Sequence, residues 1–228
     1  MTTPEPPAGL EPVVQESTPA LIARAIRRAI SDGTFAPGAQ LGEAALARSL
    51  GVSRGPLREA MQRLTQEGLL VSHRNRGLFV ADLTPDAVAD MYLLRTTVET
   101  AALSKVLELG LGVEVADVLN AAVDVMAALA DDPSSAAMVA ADLDFHHTLV
   151  EAARSPRLSR VHETVLVETS MCLHAMSSTY TDAAARLAEH RAIADAVRAG
   201  APDRARLLLA EHMRDGHDRV SRAMAERP

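Results

Sequence analysis

Apolar positions recur at helical spacing along most of this chain, interrupted in one place by two short extended runs. Between Glu43 and Glu67 the pattern predicts two short amphipathic helices, around Glu43–Leu50 and around Arg54–Glu67. Gly51-Val52-Ser53 joins the two, with a glycine where a helix must end and a serine where the next must begin. The pattern turns Ala45, Leu46, Val52, Leu57, Ala60, Met61 and Leu64 toward a common core. Arg54, Arg58 and Arg63 are left on or near the outer face of the second of these helices. Leu69–Val71 and Leu78–Val80 read as two strands joined by Ser72-His73-Arg74-Asn75-Arg76-Gly77, a hairpin with a basic tip and a glycine for its turn. From Pro85 onward only helical patterns follow, roughly at 85–109, 113–130, 134–153, 156–179, 183–199 and 202–225. Gly110 and Gly112, Asp131-Asp132-Pro133, Ser155-Pro156 and Gly200-Ala201-Pro202 punctuate them.

The expected fold is therefore mainly α: an N-terminal winged helix-turn-helix and a C-terminal antiparallel bundle of six or seven helices. The 228 residues suffice for two cores. Three units are expected: a proline-rich, disordered tail over 1–16, the winged helix over 17–81 and the bundle over 82–228. The second boundary is set by Asp82-Leu83-Thr84-Pro85, which ends the hairpin and opens a helix with Thr84 as N-cap and Pro85 at its first position. With 2% aromatics and no Trp, Ala, Leu and Val must fill the cores. The lone Cys172 excludes an intrachain disulfide and fits a reducing compartment. No apolar run approaches a membrane span and no secretory pattern opens the chain, so a cytoplasmic protein with no membrane partner is expected.

Charge changes the picture once it is divided. The formal net charge is −7, yet residues 17–80 carry nine arginines against four acidic residues, while residues 81–228 carry an excess of nine acidic charges. Lys105 is the only lysine. The basic footprint thus belongs to the winged helix, where a helix-turn-helix whose second helix opens with arginines fits a DNA major groove and the hairpin brings Arg74 and Arg76 to a phosphate backbone or minor groove.

Residues 19–80 resemble the winged-helix domain of GntR-family transcription regulators. The likeness is carried by an entry helix over Leu21–Ile30, by Asp32-Gly33-Thr34-Phe35-Ala36-Pro37-Gly38, by Leu50-Gly51-Val52-Ser53-Arg54, by Arg58-Glu59-Ala60 and Arg63-Leu64, and by Glu67-Gly68-Leu69 and Arg76-Gly77. Gly55 stands where the family usually has Thr, and Ala44 where it often has a polar or basic residue, which concentrates base readout on Arg54 and Arg58. The resemblance implies DNA contacts from Ser53, Arg54, Arg58, Arg74, Arg76 and Gly77, and a homodimer on a palindromic double-stranded operator.

The bundle holds a second constellation. Asp142 and His146 are four apart and share a helix face, His190 lies on a later helix and His212 on the last. One carboxylate and three imidazoles on three helices can converge on one divalent cation, and such donors suit Zn, Ni, Mn or Fe(II). His147 lies about 100° around the helix from His146, so only His146 is taken as a ligand. His162 and His217 stand out from nothing around them. His174 and residues 177–181 are candidates to line a cavity.

Residues 85–225 resemble the all-helical FCD domain of the FadR-like branch of these regulators, whose metal-binding members carry an Asp-x-x-x-His pair, a His in a Glu-His context and a His in the last helix. Asp142, His146, His190 and His212 fit that order, and Arg95 with Glu99 matches the first helix of the domain. Ser155-Pro156-Arg157-Leu158 replaces the usual Asn-Pro-x-Leu. The implied function is a regulator, of repressor type, whose operator affinity a small organic acid controls at one metal ion per chain, Zn or Ni foremost, with Arg95 clamping the acid. A metal-dependent hydrolase is the competing class, since such a centre can activate water. It lacks an assignable general base and leaves the winged helix unused. A regulator with a purely structural metal is the third possibility.

Overall fold

The computed structural model describes residues 16–175 and 182–226. The expected tail over 1–16, apart from Glu16, and residues 177–181 lie outside the described residues.

The first helix, α1 (Thr18–Ser31), starts where the Ser17 side chain accepts from the Ala20 amide, and it buries Ile22, Ala23, Ile26 and Ile30. A two-residue strand, β1 (Gln40–Leu41), precedes α2 (Glu43–Leu50) and α3 (Arg54–Gln66), and a hairpin of β2 (Leu70–His73) and β3 (Gly77–Val80) follows. The strands form an antiparallel sheet in the order β1-β3-β2, with Leu41 opposite Leu78 and Val71 opposite Phe79. This is the expected winged helix, with β1 added. A two-residue strand has no periodicity to read, and Gln40–Leu41 pairs only because β3 presents an edge to it.

Gly51 ends α2 in the left-handed region at φ 64°, as its position at the turn demands. Leu46, Leu57, Ala60, Met61 and Leu64 are buried as expected, but Ala45 is exposed and Ala47 is buried in its place. With only eight residues, α2 leaves its phase ambiguous by one position. Ser53 occupies the N-cap of α3, yet its side chain makes no capping hydrogen bond.

The Thr84 side chain caps α4 (Pro85–Glu108), with Pro85 in its first turn. Then come α5 (Gly112–Ala128), α6 (Ala136–Ala152), α7 (Pro156–Ala175), α8 (Ala183–Arg198) and α9 (Pro202–Ala225). These six helices share one core, in which Leu103, Leu119, Phe145, Leu149, Ile193 and Leu209 are fully buried. The winged helix has its own core, and that core is not self-contained: Val167 and Met171 of α7 are packed into it. Among the described residues, no helix is long and apolar enough to cross a membrane.

Candidate metal centre and nucleic-acid interface

Five bundle helices send polar side chains into one buried place. Asp142 and His146 come from α6, His190 and Arg186 from α8, His212 from α9, Arg95 and Glu99 from α4, and His162 from α7, and all are buried. Such groups survive burial only when each is hydrogen-bonded or paired.

The hydrogen bonds of the imidazoles fix their tautomers. His146 Nδ1 lies 2.6 Å from Glu99 Oε2, His212 Nδ1 lies 2.8 Å from Glu189 Oε2, and His190 Nδ1 lies 2.8 Å from the Arg186 carbonyl oxygen. Carboxylate and carbonyl oxygens can only accept, so each Nδ1 carries the proton and donates it. Burial, then the nearby Arg95 charge, pushes His146 down to about 4. Burial pushes His190 down to about 4 as well, against the opposing pull of Asp142, and burial holds His212 well below its ordinary range. All three rings are therefore neutral near pH 7, with a lone pair on each Nε2.

Those lone pairs face one another. The donor atoms of His146, His190 and His212 lie within 4.8 Å of one another, and the Nε2 atoms of His146 and His212 are 3.2 Å apart. His190 Nε2 is buried without a hydrogen bond. Three lone pairs converging in a low-dielectric interior repel unless a cation stands between them. Nδ1–H donation to oxygen is also the usual outer-shell arrangement of metal-bound histidine. The residues present thus fit a divalent metal. Asp142 stands beside the cluster, its Oδ1 3.5 Å from His190 Nε2 and 3.5 Å from Arg186 Nε. Burial pushes its carboxyl up, but Arg186 and His190 outweigh that and hold it below the ordinary carboxylate range, so it is an anion.

Glu99, matched with Arg95 by the resemblance but given no role there, is the hub. Besides His146, its Oε1 accepts from Arg95 Nε at 2.8 Å and from His162 Nε2 at 3.1 Å. Burial opposes its charge, yet His146 and Arg95 keep it well below the ordinary range. The Arg95–Glu99 pair, one helical turn apart, is almost completely buried. Arg95 Nη2 is buried without a hydrogen-bond partner. His162, which gave no signal of its own, and Glu189 belong to the same network. The signal was present in phase: Arg95 and Glu99 continue the apolar stripe Val88, Tyr92, Ala102, Val106, and His162 continues Val165, Thr169, Cys172. A charge on a buried stripe marks a site.

At the other end of the molecule, Arg54 and Arg58 lie exposed on α3. Arg58 Nε donates to Glu43 Oε2 of α2 at 2.9 Å. Arg63 turns away from that face and donates to Glu67 at 3.1 Å; the same carboxylate also accepts from Arg27 of α1 at 2.6 Å. Arg74 and Arg76 occupy the exposed tip of the hairpin, where Asn75 and Gly77 take φ of 62° and 97°. The Arg76 guanidinium lies 5.5 Å over the Phe79 ring, and the Arg76 carbonyl accepts from Gln40 Nε2 at 2.6 Å. A groove of about 800 Å³ between α3 and the sheet is lined by Gln40, Glu43, Arg58, Gln62, Gln66 and Ser72 among others.

Comparison with known proteins agrees with both halves. The FCD domain family matches residues 90–215, and the family of bacterial regulatory proteins named gntR matches residues 20–80. An HTH-type transcriptional regulator in an unstable DNA locus of Streptomyces ambofaciens is 33% identical over 217 residues, spanning 89% of this chain and 85% of that protein. Another, in the TAR-I ttuE-ttuC' intergenic region of Agrobacterium vitis, is 36% identical over 131 residues, 57% of this chain and 77% of the relative. A crystal structure of a GntR transcriptional regulator from Rhodococcus sp. RHA1 superposes with a TM-score of 0.73 at 27% identity, covering 93% of this chain and all of that one.

Proposed function

The chain belongs to the GntR family of bacterial regulatory proteins and carries an FCD domain, so it is a DNA-binding transcription regulator; from that premise we propose that a small organic acid, bound at a metal ion in the bundle, controls its operator affinity. The convergence of three neutral Nε2 atoms, each set by an Nδ1–H···O bond, carries the proposal. His146, His190 and His212 hold the ion, with Asp142 as the fourth ligand. One ion binds per chain, Zn or Ni foremost, with Mn or Fe as alternatives. When bound, it supplies open positions for carboxylate or hydroxyl oxygens.

Arg95 clamps the acid. Its Nε is committed to Glu99, while the buried Nη2 has no protein partner and can donate to a carboxylate. On the DNA side, Arg54 and Arg58 read base edges or flanking phosphates, Ser53 offers a hydroxyl not used for capping, and Arg74, Arg76 and Gly77 hold the backbone. Two chains bind a palindromic operator in the cytoplasm as a repressor homodimer, and the acid favours the arrangement with the lower DNA affinity.

Operator titrations of the metal-loaded protein with hydroxy, sugar and dicarboxylic acids test this. The expected result is operator binding weakened by about 1–3 kcal/mol with the right acid. Arg95→Lys keeps the charge beside Glu99 but removes the forked donor, and should lose that response while the metal content stays. If every acid that binds leaves DNA affinity unchanged, the metal is structural and the switch lies elsewhere.

A further inference from the structure

The helix α7 touches both the surroundings of the imidazole cluster and the winged-helix core. Toward its start, His162 is fully buried and gives its Nε2–H to Glu99 Oε1 at 3.1 Å, while the other oxygen of Glu99 accepts from His146 at 2.6 Å. His162 Nδ1 has no hydrogen-bond partner among the described residues, so Glu99 alone sets the orientation of this ring through hydrogen bonding. About one and a half and two and a half turns further on, Val167 and Met171 are packed in the winged-helix core. Between them in sequence, Ser170 Oγ donates to the carbonyl of Ser31 at 2.7 Å. Ser31 is the last residue of α1, where a helix leaves its carbonyls without intrahelical partners, so a bundle residue caps the end of a DNA-binding-domain helix. His162 and Ser170 are about 12 Å apart along one continuous helix.

We infer that His162 is a positioning residue: through Glu99 it ties α7 to the imidazole cluster, and α7 carries the state of that cluster to α1. A bound ion and its acid alter the charge that Glu99 faces through His146. The Glu99–His162 bond must then adjust, and with it the hold of Val167, Ser170 and Met171 on the winged helix. The inference deepens the metal-site reading and rests on it for its physiological trigger. The linkage itself consists of bonds within the protein. A histidine that merely fills the core would be replaceable by any side chain of similar volume, whereas a link needs a donor at the Nε2 position.

Hydrogen exchange of the full chain, with and without Zn(II), tests the link. In wild type, Zn(II) should slow amide exchange on α6, α8 and α9 and also on α7 and the last turn of α1. His162→Leu should keep the first set and lose the second, and His162→Gln, whose amide reaches the Nε2 position, should restore it. If His162→Leu does not fold, His162→Asn, polar but too short to reach Glu99, replaces it with the same expectation. Slowing of α1 in the Leu or Asn variant as in wild type would overturn the link. If Zn(II) protects nothing in wild type, the metal-site reading fails, and a metal-free comparison still decides about the link. Relative to α5, which reports the general loss of stability, Glu99→Gln should then speed exchange in the last turn of α1 in wild type, and this excess should vanish once His162 is replaced; an excess that survives overturns the link.

Discussion

Arginine serves opposite purposes in the two halves of this molecule. In the winged helix, Arg54, Arg58 and Arg74 stand in water, and the one recorded pair among them, Arg58 with Glu43, has side chains 64% and 43% exposed. In the bundle, Arg95 is 3% exposed and held by a carboxylate that is itself fully buried. An exposed pair in high dielectric contributes little to stability and is broken cheaply when a phosphate or a guanine edge competes for the guanidinium. A buried pair cannot be broken without stranding a charge, so it fixes geometry instead. Arg54, Arg58 and Arg74 stay available to a partner, whereas Arg95 is committed to Glu99.

Replacement of Glu99 tests the buried side most severely. Glu99→Gln removes the countercharge of Arg95 and turns one of the two acceptor oxygens serving His146 and His162 into a donor, and should cost about 3–5 kcal/mol, a fall in Tm on the order of 10 °C. A shift under about 2 °C would mean that the hub is dispensable. Stripping the metal comes next. An ion present at 100–1,000 times its Kd adds about 3–4 kcal/mol, so chelation should lower Tm measurably. His146→Ala and His190→Ala should each erase the difference between metal-loaded and metal-free protein, and elemental analysis should show the loss of about one metal per chain.

The exposed side should respond in affinity and not in stability. Arg54→Ala and Arg58→Ala should each weaken operator binding by about 1–3 kcal/mol and relax sequence preference, with Tm unchanged; Arg74→Ala should weaken all duplexes alike and flatten the salt dependence. If both α3 variants bind the operator like wild type, α3 is not the reading helix. Cys172 should show almost nothing. Burial, and then the charge of Glu168, raises its thiol to about 12, so it stays protonated across the working pH range. Alkylation followed by mass spectrometry should find it unmodified until denaturant opens the bundle. Modification at native pH would show the bundle to be looser than its packing implies.

The same contrast explains what could be read in advance. Exposed function announces itself in composition: the arginine excess of residues 17–80, the Gly51–Ser53 turn and the basic hairpin needed no tertiary information. The helices of the bundle were equally legible, because Gly, Pro and capping residues mark their ends; α8 and α9 lie where the periodicity put them to within one residue. His146, His190 and His212 were found by type and order, and the structure brings them together. Glu99 and His162 were not, because their meaning depends on three other helices arriving at the same point. Only the phase of their own stripes pointed inward. Glu189 is partly exposed at the rim and obeys no such rule. The Ser53 cap failed for a related reason: position made it an N-cap, but nothing in sequence dictates where a hydroxyl turns.

The borrowed residues in the winged-helix core bear on how the chain is made. Val167 and Met171 follow the end of β3 by about 90 residues, which a ribosome adds in very roughly 5–20 s. For that interval the newly emerged DNA-reading half has an apolar flank that its own sequence cannot cover. A nascent chain in this state is a natural client for chaperones, and an isolated fragment ending after β3 should be prone to aggregate. The winged helix thus completes its core late in synthesis, after α4, α5 and α6 have already been built.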